Sequence, residues 1–240
     1  MAGHSKWANI KNRKAKQDQQ RGKIFTRLSK EITMAARHGG GDPDTNFRLR
    51  LAVEQARENN MPNDTIERAI KRGIGALEGD NLEEVVYEGY GPAGVAIMAN
   101  SLTDNRNRTA GEVRFIFSKH GGNLGTNGCV AWMFDKQGLI IAENLQNIDE
   151  DDVLMAALES GAVDVVFEED SIEVVTEPDD LEPVEKGLLN VGLKIVHAEV
   201  ALVPQNTIEI SDEDKEKLEN LLSALEDNDD VQNVWHNASL

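Results

Sequence analysis

The sequence predicts an α+β protein in which a helical N-terminal part precedes two parts that mix helices with strands. Apolar residues recur at three- and four-residue spacing up to about position 75, which is typical of amphipathic helices. Strand-like runs begin only near residue 85, after the linker GALEGDN. From residue 138 the order is strand, helix, strand, strand, helix, strand, which is the split pattern of ferredoxin-like folds.

Four helices are predicted in the N-terminal part, and each has a start or stop signal in the sequence. The first runs to about residue 20, where Gly22 separates it from the second, and the glycines at 39–41 end the second. The predicted caps are Ser5 for the first helix, Asp44 for the third, and Asp64 with Glu67 as a capping box for the fourth, which ends at Gly73. The predicted inward-facing residues are Ile24, Leu28, Ile32 and Ala35 in the second helix and Phe47, Leu51 and Ala52 in the third.

The rest of the chain alternates strands with helices. The middle part has predicted strands at 85–90, 94–102 and 129–134, a helix at 109–119 and the glycine-rich turn GGNLGTNG. The split unit has predicted strands at 138–142, 163–167, 171–176 and 194–202, with helices at 149–160 and 181–191. The tail has two short strands around a helix at 212–225, too few strands to bury a face of its own. We therefore expect it to complete the middle sheet, which gives domains of residues 1–76, residues 77–134 with 205–240, and residues 135–204.

Charge is distributed very unevenly along the chain. The formal net charge is −18, but residues 1–75 carry 16 lysines and arginines against 8 aspartates and glutamates, a net charge of +8. Residues 76–240 carry 9 basic against 35 acidic side chains, a net charge of −26. A strongly basic segment on an acidic protein favours binding of nucleic acid by that segment.

Residues 1–30 concentrate the positive charge, with nine lysines and arginines and only one acidic side chain, Asp18. Cations at this density repel one another along a helix, and a phosphate backbone relieves that repulsion and releases counterions. Two alternatives stay open: the basic helix docks on the protein's own acidic parts, and Trp7 packs in a core instead of stacking on a base. The N-terminal candidates for nucleic-acid binding are Lys6, Trp7, Lys11, Arg13, Lys14, Lys16, Arg21, Lys23 and Arg27.

A second basic candidate lies where a predicted strand passes into a predicted helix. The segment TDNRNRT places Arg106, Asn107 and Arg108 at that helix N-terminus, where free backbone N–H groups attract anions. Lys119 lies at the other end of the same helix, so four of the nine cations that follow position 75 fall within 106–119. The alternative is a capped turn whose arginines pair with surface carboxylates.

The sequence offers no recognisable catalytic, cofactor or metal motif. Around Gly22 and Lys23, Gln17 stands where Walker A needs its first glycine, and GGNLGTNG lies between a helix and a strand, the wrong order for a dinucleotide fingerprint. The five histidines have no cysteine or carboxylate at ligand spacing, and Cys129 is expected in a strand. No apolar run approaches the ~20 residues of a membrane span. We expect a cytoplasmic protein that is not an enzyme, needs no cofactor or metal and does not bind membranes.

Two long motifs resemble one known family. They are AGHSKWANIKNRKAKQDQQRGKIF at the N-terminus and EGYGPAGVAIMANSLTDNRNRTAGEVRFIFSKHGGNLG in the middle of the chain. Both are similar to the YebC/PmpR family, to which the mitochondrial translational activator of cytochrome oxidase also belongs. The resemblance spans essentially the whole chain. It implies three domains around a cleft: a helical N-terminal domain and two α+β domains, the middle one completed by the C-terminal tail.

The resemblance also implies a non-enzymatic regulator of gene expression. Some bacterial members are described as DNA-binding transcriptional regulators, the function we expect here, with promoter DNA as partner. The alternative is an RNA-binding, ribosome-associated factor that regulates translation and relieves stalling at proline-rich stretches. A basic arm with Trp7 suits folded RNA as well as duplex DNA, and no recognition helix or dimer seam stands out, so we expect a monomer or weak oligomer. A third hypothesis is that the acidic parts bind basic partner proteins and the chain binds no nucleic acid.

Overall fold

The structure, a computed structural model, describes residues 21–79, 81–168 and 170–239. These residues form two compact units: the first ends at Met133 and resumes at Asn206, and the second spans Phe134–Gln205. Both units mix helices with sheets, so the predicted α+β class is confirmed. The helices of the described residues are α1 (Arg21–Gly39), α2 (Phe47–Glu58), α3 (Asn63–Gly73), α4 (Arg106–Lys119), α5 (Glu150–Glu159), α6 (Leu181–Asn190) and α7 (Asp212–Glu226). The strands are β1 (Glu83–Tyr90), β2 (Ala96–Thr103), β3 (Asn123–Leu124), β4 (Phe134–Glu143), β5 (Ala162–Phe167), β6 (Ile172–Thr176), β7 (Lys194–Pro204), β8 (Ile208–Glu209), β9 (Val231–His236) and β10 (Ala238–Ser239).

Helices α1, α2 and α3 enclose a small apolar core within the first unit. Leu28 of α1 is buried there with Leu49 of α2 and Ile66 of α3, as amphipathic periodicity requires. The axes of α1 and α3 approach so closely that a Cβ atom on Gly73 would lie 2.4 Å from the carbonyl oxygen of Thr33. A glycine is therefore required at the end of α3.

The start of α2 corrects a prediction. Asn46, and not Asp44, caps the helix: its Oδ1 accepts a hydrogen bond from the backbone N–H of Leu49 at 3.1 Å. Asn46 is buried, and its Nδ2 also donates to the carbonyls of Ala35 and Gly40, so it joins the end of α1 to the start of α2. Asp44 is exposed and makes no such link. The helix therefore buries Leu49, Ala52, Val53 and Ala56, while the predicted inward residues Phe47 and Leu51 are only partly buried.

Two further helix boundaries differ from the prediction. Gly22 was predicted to separate two helices, but it is helical within the described range of α1. Helix α3 begins after Pro62 without any side-chain cap, and Glu67 pairs with Lys71 instead of closing the predicted capping box with Asp64. Proline sets the entry angle of the chain there. The predicted first helix, capped by Ser5, lies outside the described residues.

The sheet of the first unit is antiparallel, with the strand order β3-β1-β2-β9. Strand β9 comes from the C-terminal tail, which thus pairs with β2 as we expected. Helices α4 and α7 supply the core over this sheet, where Val113 and Phe117 pack with Leu218, Leu221 and Leu225. The inner face of α4 is therefore part of the core of the first unit.

The segment before β4 corrects the prediction for Cys129. A strand over 129–134 was expected, but Cys129 lies in a turn and β4 begins at Phe134. The buried carboxylate of Glu88 accepts hydrogen bonds from the backbone N–H groups of Gly128, Val130 and Ala131 at 2.7, 3.0 and 2.9 Å. Those donors are no longer available to a strand ladder. Burial raises the pKa of Glu88, but these three bonds outweigh it and hold the pKa below its usual value.

Glu88→Gln is expected to lower the free energy of unfolding by about 1–3 kcal/mol. Glutamine keeps one acceptor oxygen and turns an NH₂ group toward backbone donors, so at least one buried N–H loses its partner. Urea denaturation of the variant measures the effect, with Glu83→Gln at the exposed start of β1 as the control. Equal stabilities for the two variants would mean that the three bonds contribute nothing.

The second unit has the strand order β5-β6-β4-β7, again antiparallel. This order and the connection β4-α5-β5-β6-α6-β7 are those of the split ferredoxin-like pattern predicted from the sequence. Val153 of α5 and Leu181, Val184 and Leu188 of α6 are buried. Helices α5 and α6 thus lie where the sequence predicts helices at 149–160 and 181–191.

Candidate nucleic-acid interface

The thirteen predicted nucleic-acid residues fall into three groups in the structure. Six of them lie outside the described residues: Lys6, Trp7, Lys11, Arg13, Lys14 and Lys16. Arg21 is the first residue of α1, and Lys23 and Arg27 follow it on the same helix. Arg106, Asn107 and Arg108 form the first turn of α4, and Lys119 is its last residue. The surroundings of six side chains can therefore be compared with the predictions. They are Lys23, Arg27, Arg106, Asn107, Arg108 and Lys119.

The cations of α1 face a short acidic loop, residues 227–230, that connects α7 to β9. Lys23 donates from Nζ to the carbonyl of Asp227 at 2.9 Å, and Lys30 donates to the carbonyl of Asp229 at 3.0 Å. Arg27 donates to the carbonyl of Gln232 in β9. These contacts match the alternative in which part of the basic segment docks on the protein's own acidic part.

Asp230 is the centre of this contact. Its side chain is only 5% exposed, with Oδ1 2.5 Å from Lys30 Nζ and Oδ2 2.7 Å from a guanidinium nitrogen of Arg108. The hydroxyl of Thr109 donates to the same Oδ2 at 2.6 Å. Burial raises the pKa of Asp230, but the bonds from Lys30, Thr109 and Arg108 dominate and lower it to about 2. One carboxylate thus links α1, α4 and the acidic loop.

Arg108 is held by carboxylates on two sides. Besides Asp230, it lies 2.8 Å from Asp104 Oδ1, and the hydrogen bonds that Arg108 donates to these two carboxylates raise its pKa above the usual value. Asn105 caps α4, with Oδ1 accepting from the backbone N–H of Arg108 at 3.1 Å. The alternative of a capped turn with paired arginines therefore describes Arg108. Arg106 and Asn107 are exposed in the same turn.

A cleft of about 1040 Å³ opens beside the acidic loop within the first unit. Both signs of charge line it, because Lys30, Arg37 and Arg72 contribute to its surface together with the carboxylates of the loop. Such a lining does not favour a polyanion over other ligands. The cleft therefore does not by itself form a phosphate-binding groove.

Sequence reasoning missed several residues that matter for this interface. Lys30 was counted among the N-terminal cations without a role, and Asp230 was not singled out. Phe115 was also missed, although the residue is 64% exposed and Lys119 Nζ lies 6.0 Å from the ring centroid. The helical spacing could have indicated that Phe115 is exposed. Phe117 lies on the buried face of α4, and a residue two positions before it points to a different side of the helix.

The part of the chain that the structure describes shows neither a metal-binding cluster nor a membrane-spanning helix. No three histidine, cysteine, aspartate or glutamate side chains are grouped there in a way that could hold a metal ion. No described helix combines the length and the apolar character needed to cross a membrane.

Two family models match the chain. One, described as the TACO1/YebC protein N-terminal domain, matches residues 5–76, and the other, described as the TACO1/YebC second and third domain, matches residues 82–238. The chain belongs to the TACO1/YebC family. The family resemblance predicted from the two sequence motifs is therefore confirmed.

Several TACO1/YebC relatives are similar over their full length. A protein of Thermoanaerobacter pseudethanolicus, named probable transcriptional regulatory protein Teth39_1009, is 55% identical over 100% of this chain and 98% of its own length. The probable transcriptional regulatory protein TTE1135 of Caldanaerobacter subterraneus is 55% identical over 100% of this chain and 99% of its own length. These names describe the relatives as regulators of transcription.

One solved crystal structure has the same fold. The crystal structure of the conserved hypothetical protein Aq1575 from Aquifex aeolicus is 47% identical in sequence and superimposes with a TM-score of 0.85. The match covers 94% of this chain and 93% of that protein. The mixed architecture, with an N-terminal helical domain followed by two further domains, is thus shared by the two proteins.

Proposed function

We propose that this chain is a non-enzymatic regulator of gene expression that acts in the cytoplasm by binding nucleic acid. The observation that carries the proposal is the segregation of charge: residues 1–75 have a net charge of +8 on a chain of −18. The acidic loop engages Lys23 and Lys30. Between residues 1 and 17 the sequence has five cations and no carboxylate. Phosphate groups of a nucleic acid would neutralise that charge.

Promoter DNA is the first candidate partner. The relatives in Thermoanaerobacter and Caldanaerobacter are named as transcriptional regulators, and a basic segment of this kind binds a duplex through its phosphates. We propose that Lys6, Lys11, Arg13, Lys14, Lys16 and Arg21 supply most of that contact. Sequence selectivity would then come from few base contacts or from the shape of the DNA.

RNA of the ribosome is the second candidate, and one observation favours it. Phe115 is exposed beside Lys119 on a helix that contains four cations and one carboxylate. Exposed aromatic rings flanked by cations stack on unpaired bases, which are common in folded RNA and absent from duplex DNA. In this case the protein would regulate translation and relieve stalling at proline-rich stretches.

Crosslinking in cells, followed by sequencing of both the DNA and the RNA recovered with the protein, tests the proposal. Enrichment of promoter fragments supports the transcriptional role, and enrichment of ribosomal RNA supports the translational one. The matched control is the full chain with Lys11, Arg13, Lys14 and Lys16 replaced by glutamine, which should recover much less of either.

Point substitutions are preferable to a deletion in this experiment. Removing the N-terminal helices would leave Asp230 buried without Lys30, so the remainder of the first unit would be destabilised. Recovery of neither nucleic acid above background by the wild-type protein would contradict the proposal. It would favour the hypothesis that the acidic parts bind basic partner proteins.

A further inference from the structure

Helix α4 has one face that packs against the sheet and another that faces solvent. Thr109, Val113 and Phe117 are fully buried, at the four-residue spacing of an inward stripe. The opposite side consists of exposed residues at positions that recur over the length of the helix. We call this side the outer face of α4, and its members are Asn107, Gly111, Arg114, Phe115, Ser118 and Lys119.

The outer face is positive on a protein that is otherwise strongly negative. The sequence of α4 contains four cations and a single carboxylate, Glu112. Glu112 lies on the flank beside the acidic loop, where its Oε2 accepts a hydrogen bond from Asn228 Nδ2 at 2.8 Å. Arg114 forms no ion pair with any carboxylate that the structure describes. Its charge is therefore available to a ligand, and the complementary ligand is a polyanion.

An exposed aromatic ring stands in the middle of this face. Phe115 is 64% exposed, and Lys119 Nζ lies 6.0 Å from its ring centroid, one helical turn away. A phenylalanine in this position contributes little to the core, because Val113 and Phe117 already fill it. Aromatic rings with neighbouring cations are the common platform for stacking of nucleic-acid bases.

Gly111 leaves an open space beside that ring. It lies one turn before Phe115, and a Cβ atom built there would have no neighbour within 4 Å. Glycine inside a helix costs about 1 kcal/mol relative to alanine, and no packing contact requires it at this position. Because Gly111 has no side chain, a flat group has room to lie on the helix there and to contact the ring of Phe115.

We propose that the outer face of α4 binds an unpaired stretch of RNA, with Phe115 stacking on a base and Arg114 and Lys119 contacting the adjacent phosphates. The inference rests on the proposed nucleic-acid function and adds a binding surface outside the basic N-terminal segment. The charge of the face selects a polyanion, and the exposed ring selects one whose bases are accessible. Bases of a DNA duplex are stacked inside the helix and do not present a face to Phe115.

Fluorescence anisotropy with a labelled single-stranded RNA and a labelled DNA duplex tests the proposal on the full chain. Phe115→Ala is expected to weaken RNA binding about fivefold to 150-fold with little change in salt dependence. Phe115→Tyr, which keeps the ring, should bind like the wild type. Arg114→Gln and Lys119→Gln should each lower the slope of log affinity against log salt by about one unit. The matched control is Lys136→Gln, which removes an exposed cation from β4 in the second unit.

The outcomes separate this inference from the proposed function. If the wild type binds RNA and Phe115→Ala, Arg114→Gln and Lys119→Gln bind it equally well, the outer face is not used and the proposed function stands. If Phe115→Ala weakens duplex DNA as much as RNA, stacking on an unpaired base is refuted. If the wild type binds neither ligand, the proposed function itself fails. Because Phe115 is exposed, the variants should melt at the temperature of the wild type, and loss of RNA binding at unchanged stability supports the proposal.

Discussion

Replacing Asp230 with asparagine is expected to lower the free energy of unfolding by about 3 kcal/mol. The carboxylate is buried between Lys30 and Arg108, and its removal leaves two cations without their shared counter-charge. Thr109 also loses its charged acceptor at 2.6 Å. Urea denaturation at neutral pH measures the loss. Asp229→Asn is the control, because that side chain is exposed in the same loop.

The same carboxylate predicts a dependence of stability on pH. Its pKa in the folded protein is about 2, below the value of 3.8 for a free aspartate, so folding favours the ionised form. The stabilisation is complete above about pH 5 and is lost as the pH falls toward 2. The wild type should therefore lose more stability over this range than Asp230→Asn does. Parallel curves for the two proteins would show that Asp230 does not link α1 to α4 energetically.

Local patterns in the sequence predicted most of the fold. The spacing of Leu28 and Ile32 gave the inward face of α1, and the order of elements from residue 138 gave the split unit. Two of the failures occurred where a buried polar side chain bonds to a segment that is distant in the sequence. Asn46 replaced Asp44 as a cap because it also bonds to α1, and Glu88 in β1 drew the backbone around Cys129 into a turn. Neither hydrogen bond can be inferred from the residues that lie next to Asn46 or Glu88 in the sequence.

The interface was predicted less completely than the fold. A count of cations located the basic segment, but it could not show which cations are neutralised inside the protein. Lys30 and Asp230 are 200 positions apart in the sequence and meet only because β9 returns to pair with β2. Lys23 is likewise held by a carbonyl of the acidic loop. The assignment of the remaining N-terminal cations to nucleic acid stays a prediction.

Binding of nucleic acid by the N-terminal segment is expected to depend steeply on salt. If five to seven phosphates are neutralised, log affinity should fall against log salt with a slope of roughly −4 to −6. A fourfold increase in salt would then weaken binding by about a thousandfold, whatever the sequence of the ligand. Because the acidic loop engages Lys23 and Lys30, most of this slope should come from the five cations between residues 1 and 17. Titration of the wild type at three salt concentrations measures it.

Single substitutions identify the origin of the slope. Lys14→Ala should lower it by about one unit and weaken all sequences alike, whereas Lys136→Ala in β4 should leave it unchanged. Trp7→Ala should remove about 1–3 kcal/mol of binding at an unchanged slope if the indole stacks on a base. If the indole packs in a core, the same variant loses stability instead of affinity. A flat salt dependence of the wild-type protein would refute the electrostatic account, because phosphate contacts cannot form without releasing counterions. The carboxylates, 35 of which lie beyond residue 75, would then be the better candidates for contact with a basic partner protein.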